Sequence, residues 1–388
     1  MNTRPTRPVG NTGMQATIVG LGCEHLVKKT YEEVDDVISA AFDNGINILD
    51  VFMPGAEVRG QIGRSLRGRR DKVLIQGHIG SVDVRGQFAQ SRDLGECTRY
   101  FEELLQYLET DYIDFGMLHF MDTNEHIDLM INNGVVEYVQ QLKQSGKIRA
   151  VGASAHNPET ARRLVEEGLI EMLMFSVNPA YDMMPELGDI EQMMGDEYAA
   201  RVSLIDPVRA DLYRLCEDRG VGITVMKSLC AGKLLCADHS IFTQALSPAQ
   251  CIHYALTRPA VASVLVGCET REEVEAAARY FEANETEKDF SETISRVKDG
   301  VKSGFKENCV YCGHCRPCPA NINVAQVIKC LDIACLNEKE ISPGAVRQYN
   351  SLAGRASDCL RCGDCEERCP FSVPVMRKLE KAVQLFGS

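Results

Sequence analysis

Eight of the chain's 17 cysteines fall into two short runs. The second reads Cys359-x2-Cys362-x2-Cys365-x3-Cys369-Pro370, the spacing with which bacterial ferredoxins hold four-iron cubanes. Three thiolates at every third position wrap a loop around three corners of one cubane. The fourth, ahead of a proline that turns the chain away, reaches the other. The first run, Cys309-x2-Cys312-x2-Cys315-x2-Cys318-Pro319, is one residue shorter before its last cysteine. The expected ligand sets are therefore crossed. Cys309, Cys312, Cys315 and Cys369 hold one 4Fe-4S cluster; Cys359, Cys362, Cys365 and Cys318 hold the other. Structural zinc is the alternative for any Cys-x2-Cys pair, but paired runs that each end in Cys-Pro are not zinc-ribbon spacing. His314, inside the first run, reads as a hydrogen-bonding neighbour of a cluster, not a ligand. Cys330 and Cys335, in the helical stretch between the runs, read as small buried side chains.

A second group of residues is suited to proton chemistry. Four of the eight histidines, His25, His78, His119 and His156, fall just after predicted strands. Asp50 ends another strand, and Lys227 ends a later one. An imidazole with an unperturbed pKa near ~6.5 donates and accepts protons around neutrality. A His/Asp set of this kind also suits a transition metal, so an additional metal is an alternative occupant.

The elements that must position these residues alternate. β-branched runs at residues 16–21, 46–50, 72–77, 112–118, 148–153, 172–177, 222–226 and 262–266 are separated by amphipathic helical stretches. Several helices end at glycine, as at Gly45, Gly146, Gly168 and Gly220, where a left-handed cap is tolerated. Eight βα units predict an α/β fold, a (β/α)8 TIM barrel over residues 1–282, followed by a helix-rich ferredoxin-like domain over 283–388. A doubly wound sheet is the alternative, but no Gly-x-Gly-x-x-Gly turn follows the first strand. In such a barrel the ends of the strands form the active-site face, which places the four histidines, Asp50 and Lys227 on one rim.

The 388 residues are 45% apolar, enough to fill one large core and a small one. No run approaches the ~18 apolar residues of a membrane span. The basic N-terminal residues have no apolar stretch behind them, so the expectation is a cytoplasmic protein. A formal charge of −13 argues against nucleic acid or an anionic membrane as partner.

In order along the chain stand Gly10-Asn-Thr-Gly13, Val19-Gly-Leu-Gly22, Asn47-Ile-Leu-Asp50 and Ile62-Gly63. Then come Tyr112-Ile-Asp-Phe-Gly-Met-Leu-His119, Gly146-Lys-Ile-Arg149, Val151-Gly-Ala-Ser154 and Val264-Leu-Val-Gly267. This series resembles the aldo/keto reductase superfamily, in particular its members with a C-terminal ferredoxin-like domain. The resemblance implies carbonyl chemistry with NAD(P)H and a tetrad of Asp, Tyr, Lys and His. Asp50 and His119 match two members. Gly55 stands where the Tyr belongs, and Gln76-Gly-His78 where the Lys belongs. The family's Ser-Asn cofactor grip becomes Ser154-Ala155, with Asn178 as a candidate for the carboxamide contact. Gly267 to Arg271 opens a helix where the family binds a phosphate, an arrangement helix N-termini favour.

The expectation is an iron–sulfur oxidoreductase acting on a small organic substrate, with His78 or His119 replacing the tyrosine acid. Because clusters pass single electrons, a nicotinamide, a flavin or a radical-tolerant substrate is required, and a ferredoxin or flavodoxin is the expected electron donor. A His/Asp lyase or isomerase with structural clusters, and an electron-transfer subunit with a scaffold barrel, are the alternatives.

Overall fold

The computed structural model describes residues 4–183, 206–294, 296, 298, 307, 309, 315–335, 343–369 and 372–387. Cys312 and His314 lie outside them. The strands, in chain order, are β1 (Thr6–Pro8), β2 (Gln15–Thr17), β3 (Val19–Gly22), β4 (Ile48–Val51), β5 (Leu74–Ile79), β6 (Ser81–Val84), β7 (Gln87–Gln90), β8 (Ile113–Leu118), β9 (Ile148–Ala155), β10 (Met172–Ser176), β11 (Gly222–Met226) and β12 (Val261–Gly267). Eight of them close a parallel barrel in the order β3-β4-β5-β8-β9-β10-β11-β12, with β12 pairing back onto β3. This is the expected TIM barrel.

Strands buried on both faces read as mostly apolar runs, and β8, Ile-Asp-Phe-Gly-Met-Leu, is buried at every position, with its one charged residue, Asp114, paired with Arg70 and Arg149. One core fills the barrel interior with Met14, Ile48, Phe115, Met117, Met172, Met174 and Leu265. A larger one packs strands against helices, for example Ile38, Phe101, Leu104 and Phe175. The helices start on good caps: Thr30 forms a capping box with Glu33, and Asp93, Thr123 and Asn157 each accept a first-turn N–H. Among the described residues no helix is long and apolar enough to cross a membrane.

A buried polar knot holds the chain beyond β10. Asp182 accepts from Arg209 Nε at 2.8 Å and Tyr213 OH at 2.6 Å on one oxygen, and from Tyr254 OH at 3.0 Å on the other. Arg209 also donates to the Ser176 carbonyl, fixing the last residue of β10.

The chain divides into two compact units: Met1–Val82 with Gln90–Lys302, and Asp83–Ala89 with Ser303–Ser388. The expected boundary at 282/283 is therefore corrected twice. Residues beyond 282 stay with the barrel because Phe290 and Ile294 pack against its outer core and Thr243 N–H donates to the Arg296 carbonyl. Asp83–Ala89, the middle of a hairpin not foreseen from the sequence, belongs to the cysteine-bearing unit. That second unit has its own core of Ile322, Val327, Ile328, Leu331, Tyr349 and Leu379. Cys330 is fully buried within it, and Cys335 packs against it.

Candidate functional site

Residues two apart on a strand share a face, so Gln76 and His78 of β5 point the same way. Asp50 of β4 is the register partner of Gln76. The result is a buried chain. His78 Nε2 lies 2.9 Å from Asp50 Oδ1, and Gln76 Nε2 donates to the same oxygen at 3.1 Å. On its other side, His78 Nδ1 lies 2.8 Å from Nδ1 of His119, which follows β8 directly. Phe52 stacks on His119 at 5.9 Å between centroids and 13° between planes. Arg59, fully buried, donates to the Met53 carbonyl and holds the loop that carries Phe52.

A second chain stands after β8, β9 and β11. Lys227 Nζ lies 2.7 Å from His156 Nε2, and His156 Nδ1 lies 2.8 Å from Asp122 Oδ2. Phe120 separates the two chains, 6.4 Å from His119 and 5.6 Å from His156 between centroids. Phe120 and Lys227 have left-handed backbones, φ +59° and +61°, which cost ~1–3 kcal/mol each for residues with side chains. Specific bonds hold them there. Ser154 Oγ accepts the Phe120 N–H at 2.9 Å, Arg92 donates to the Phe120 carbonyl at 2.7 Å, and Asn178 Nδ2 donates to the Lys227 carbonyl at 2.9 Å.

Burial, then the adjacent His78, Arg92 and His156, hold His119 well below the usual histidine range. Burial also lowers His156, helped by Lys227 and opposed by Asp122. Burial works against charge on Asp122, but His156 and Lys227 still hold its carboxyl below the usual range. Both histidines are therefore neutral near pH 7. His156 then carries its proton on Nδ1, donating to Asp122, and accepts from Lys227 on Nε2.

This neutrality has a consequence for stability. An unfolded histidine takes up a proton near pH ~6.5, whereas His119 and His156 do so only at lower pH. Below ~6.5 the unfolded chain holds more protons, so stability is full above that pH and falls beneath it, by up to ~1.4 kcal/mol per pH unit per histidine. Urea unfolding followed from pH ~7 to ~5 is expected to show this slope, and His119→Gln and His156→Gln should each flatten it.

The remaining rim residues are drawn elsewhere. His25 lies against Gly267, where a Cβ would come within 2.9 Å of the ring, and faces Glu269 at 3.8 Å. Arg271 is enclosed by Asp36 at 2.7 Å, Asp43 at 3.2 Å and Glu275 at 3.8 Å, so a phosphate brought there would meet three carboxylates. Asn178 spends its Oδ1 on the Tyr181 N–H and its Nδ2 on Lys227, and Ser154 is engaged by Phe120. Of the residues expected to grip NAD(P), Asn178 and Arg271 are thus engaged by protein partners, and Ser154 Oγ accepts one N–H. Nor is His78 arranged for a metal, since both ring nitrogens face protein partners. Among the described residues no three His, Cys, Asp or Glu side chains are placed to hold one.

Asp122, Phe52, Gln76 and Arg92 were not singled out by sequence. Asp122 alone had a usable signal, an acid three residues past His119 at a strand end.

In the second unit, Cys315, Cys318, Cys359, Cys362 and Cys365 line one cavity with Ile322, Val324 and Leu379. Cys309 and Cys369 pack against the same apolar core. The Arg361 N–H donates to Cys359 Sγ at 3.4 Å, and Arg368 donates to the carbonyls of Cys315 at 3.1 Å and Pro317 at 2.7 Å. Thiols on an apolar wall with an N–H aimed at sulfur are donors of the kind a thiolate-held cluster would use, while no three of the described ones stand together as a metal site.

Comparison with known proteins agrees with this architecture. The chain is 27% identical over 186 residues to the uncharacterized oxidoreductase YqkF of Bacillus subtilis, covering 46% of this chain and 58% of that protein. It is 27% identical over 158 residues to the aldo-keto reductase YhdN of the same organism, covering 38% and 45%. The matches thus span about half the length of these relatives. The aldo-keto reductase AKR11C1 from Bacillus halodurans shares the fold, with a TM-score of 0.59 at 19% identity over 77% of this chain and 100% of that one. Residues 19–245, more than half of the 388, match the aldo/keto reductase family model, and the chain belongs to that family.

Proposed function

We propose that this chain is an iron–sulfur oxidoreductase acting on a small organic substrate at the barrel mouth, with Asp50, His78 and His119 doing the proton work of the family's missing Tyr and Lys. The 2.8 Å contact between the two Nδ1 atoms, with Asp50 behind it, carries the reading. With Asp50 accepting, His78 holds a proton on Nε2. In the neutral chain His119 donates from Nδ1 to His78, leaving a lone pair on His119 Nε2, a base. With one more proton in the chain, His78 holds both of its own and His119 presents Nε2–H, an acid. The chain therefore takes or gives one proton at His119 Nε2 without either ring moving. Phe52 screens one face of that ring from water, and Asp122 with His156 positions the Lys227 ammonium.

The two cysteine runs would bind 4Fe-4S clusters as thiolates, with Arg361 N–H stabilising charge on Cys359. When bound, such clusters supply electrons one at a time. An external one-electron carrier of the ferredoxin or flavodoxin kind fits that need, and a cytoplasmic setting keeps the thiols reduced.

Protein purified without oxygen is expected to hold about eight iron and about eight sulfide per chain, measured by metal and sulfide analysis. Stoichiometric zinc without sulfide would overturn the reading. Assay of the same preparation for nicotinamide and flavin identifies any two-electron partner. Clusters that keep one oxidation state throughout turnover would favour an acid–base lyase or isomerase instead.

A further inference from the structure

We propose that Gln87, which lies in sequence between β5 and the helix after β7, is a positioning residue for the iron–sulfur cluster to which Cys318 belongs. The inference rests on the iron–sulfur reading above.

The β6–β7 hairpin turns through Arg85 and Gly86, both at positive φ (+57° and +79°), as a two-residue primed turn requires. Asp83 Oδ1 accepts the Gly86 N–H at 2.7 Å and closes it. Gln87, the next residue, belongs to the second unit with the cysteines. Its side-chain amide grips one tight turn at three points. Gln87 Oε1 accepts the Cys318 N–H at 3.0 Å, Nε2 donates to Asn321 Oδ1 at 2.6 Å, and the same Nε2 is 3.4 Å from the Cys318 carbonyl. The turn itself closes by Asn321 N–H to Cys318 O at 2.9 Å, with Asn321 at φ +57°.

A primary amide is the side chain that matches this pattern, because it accepts and donates from one rigid plane. Two effects follow for a bound cluster. The direction of Cys318 Sγ is set by a backbone that Gln87 fixes. The Cys318 N–H is committed to Gln87, so it is withheld from the cluster sulfurs, whose hydrogen bonds help set the potential.

The test uses the full chain, purified and reconstituted without oxygen, with three readouts that need no substrate: iron and sulfide content, the electron paramagnetic resonance spectrum after dithionite, and midpoint potentials. Gln87→Ala is expected to lose one cluster, iron falling from about eight to about four per chain, and the spectrum of two interacting centres should collapse to that of one. Gln87→Glu keeps an acceptor for the Cys318 N–H. It is expected to retain both clusters and to lower the potential of one, because added negative charge opposes an incoming electron. Should Gln87→Ala fail to fold, the potential of Gln87→Glu decides. Both variants matching wild type in content, spectrum and potentials would overturn the role of Gln87. A wild type without iron and sulfide would overturn the iron–sulfur reading itself, and this inference with it.

Discussion

Offered NADPH and common aldehydes, the wild-type protein is expected to turn over ~10²–10⁴-fold more slowly than a family member with the full tetrad, because a positioned acid is worth about that much. Gly55 has no side chain to donate a proton, and it caps the Ala56–Ser65 helix with extended backbone. The stretch Gln76-Gly-His78, expected to stand where the family's lysine belongs, brings Gln76 and His78 to Asp50 and has no ammonium to depress the pKa of a phenol. On the cofactor side, two of the expected contacts already have protein partners. Arg271 is neutralised by Asp36 and Asp43, and both ends of the Asn178 amide are used internally. Steady-state assay by loss of NADPH absorbance checks the expectation. Turnover of several per second would show that His119 can serve as the acid for hydride chemistry and that the dinucleotide binds by other residues.

The second large effect is expected from the histidine pair. For whichever carbonyl compound the dithionite-reduced protein consumes, His119→Ala should lower kcat by ~10²–10⁴-fold. In the proposed relay His119 Nε2 is the atom that would give or take the proton. His78→Ala should cost less than His119→Ala, since His119 would keep its ring but lose the hydrogen bond that couples it to Asp50. Asp50→Asn leaves the geometry but offers His78 an amide in place of a carboxylate, the kind of change that misplaces a tautomer. Iron and sulfide content should be unchanged in all three, because these residues lie in the barrel unit. Equal activity in wild type and His119→Ala would remove the relay from the mechanism and leave it as a buried polar contact.

The barrel was legible because its strands are buried on both faces and read as continuous apolar runs, which survive without any partner being known. The rim was legible for the same reason: a polar residue such as Asp50 or His119 at the end of such a run has nowhere to point but the mouth. The pairing of the rim was not legible. His156 meets Lys227 across 71 positions of sequence and meets Asp122 across 34, and no local pattern encodes either. Arg271 illustrates the converse. A basic residue opening a helix is a phosphate signal in isolation, and only the tertiary approach of Asp36 and Asp43 cancels it. The hairpin at Ser81–Val84 and Gln87–Gln90 was missed because its strands are four residues each and its turn is Arg-Gly, a weaker signal than Asn-Gly or Asp-Gly.

That hairpin also orders events during biosynthesis. One structural unit draws on Asp83–Ala89 and on the chain from Ser303 onward, so its two parts leave the ribosome far apart in time. At ~5–20 residues per second, the interval between residues 89 and 309 is on the order of 10–40 s. The barrel's first strands are complete throughout that wait, whereas Cys318 and Cys369 do not yet exist to meet Gln87 or one another. The cysteine-bearing unit therefore closes last, on a hairpin made early, and its cysteines meet Gln87 only after the second part of the unit has been made.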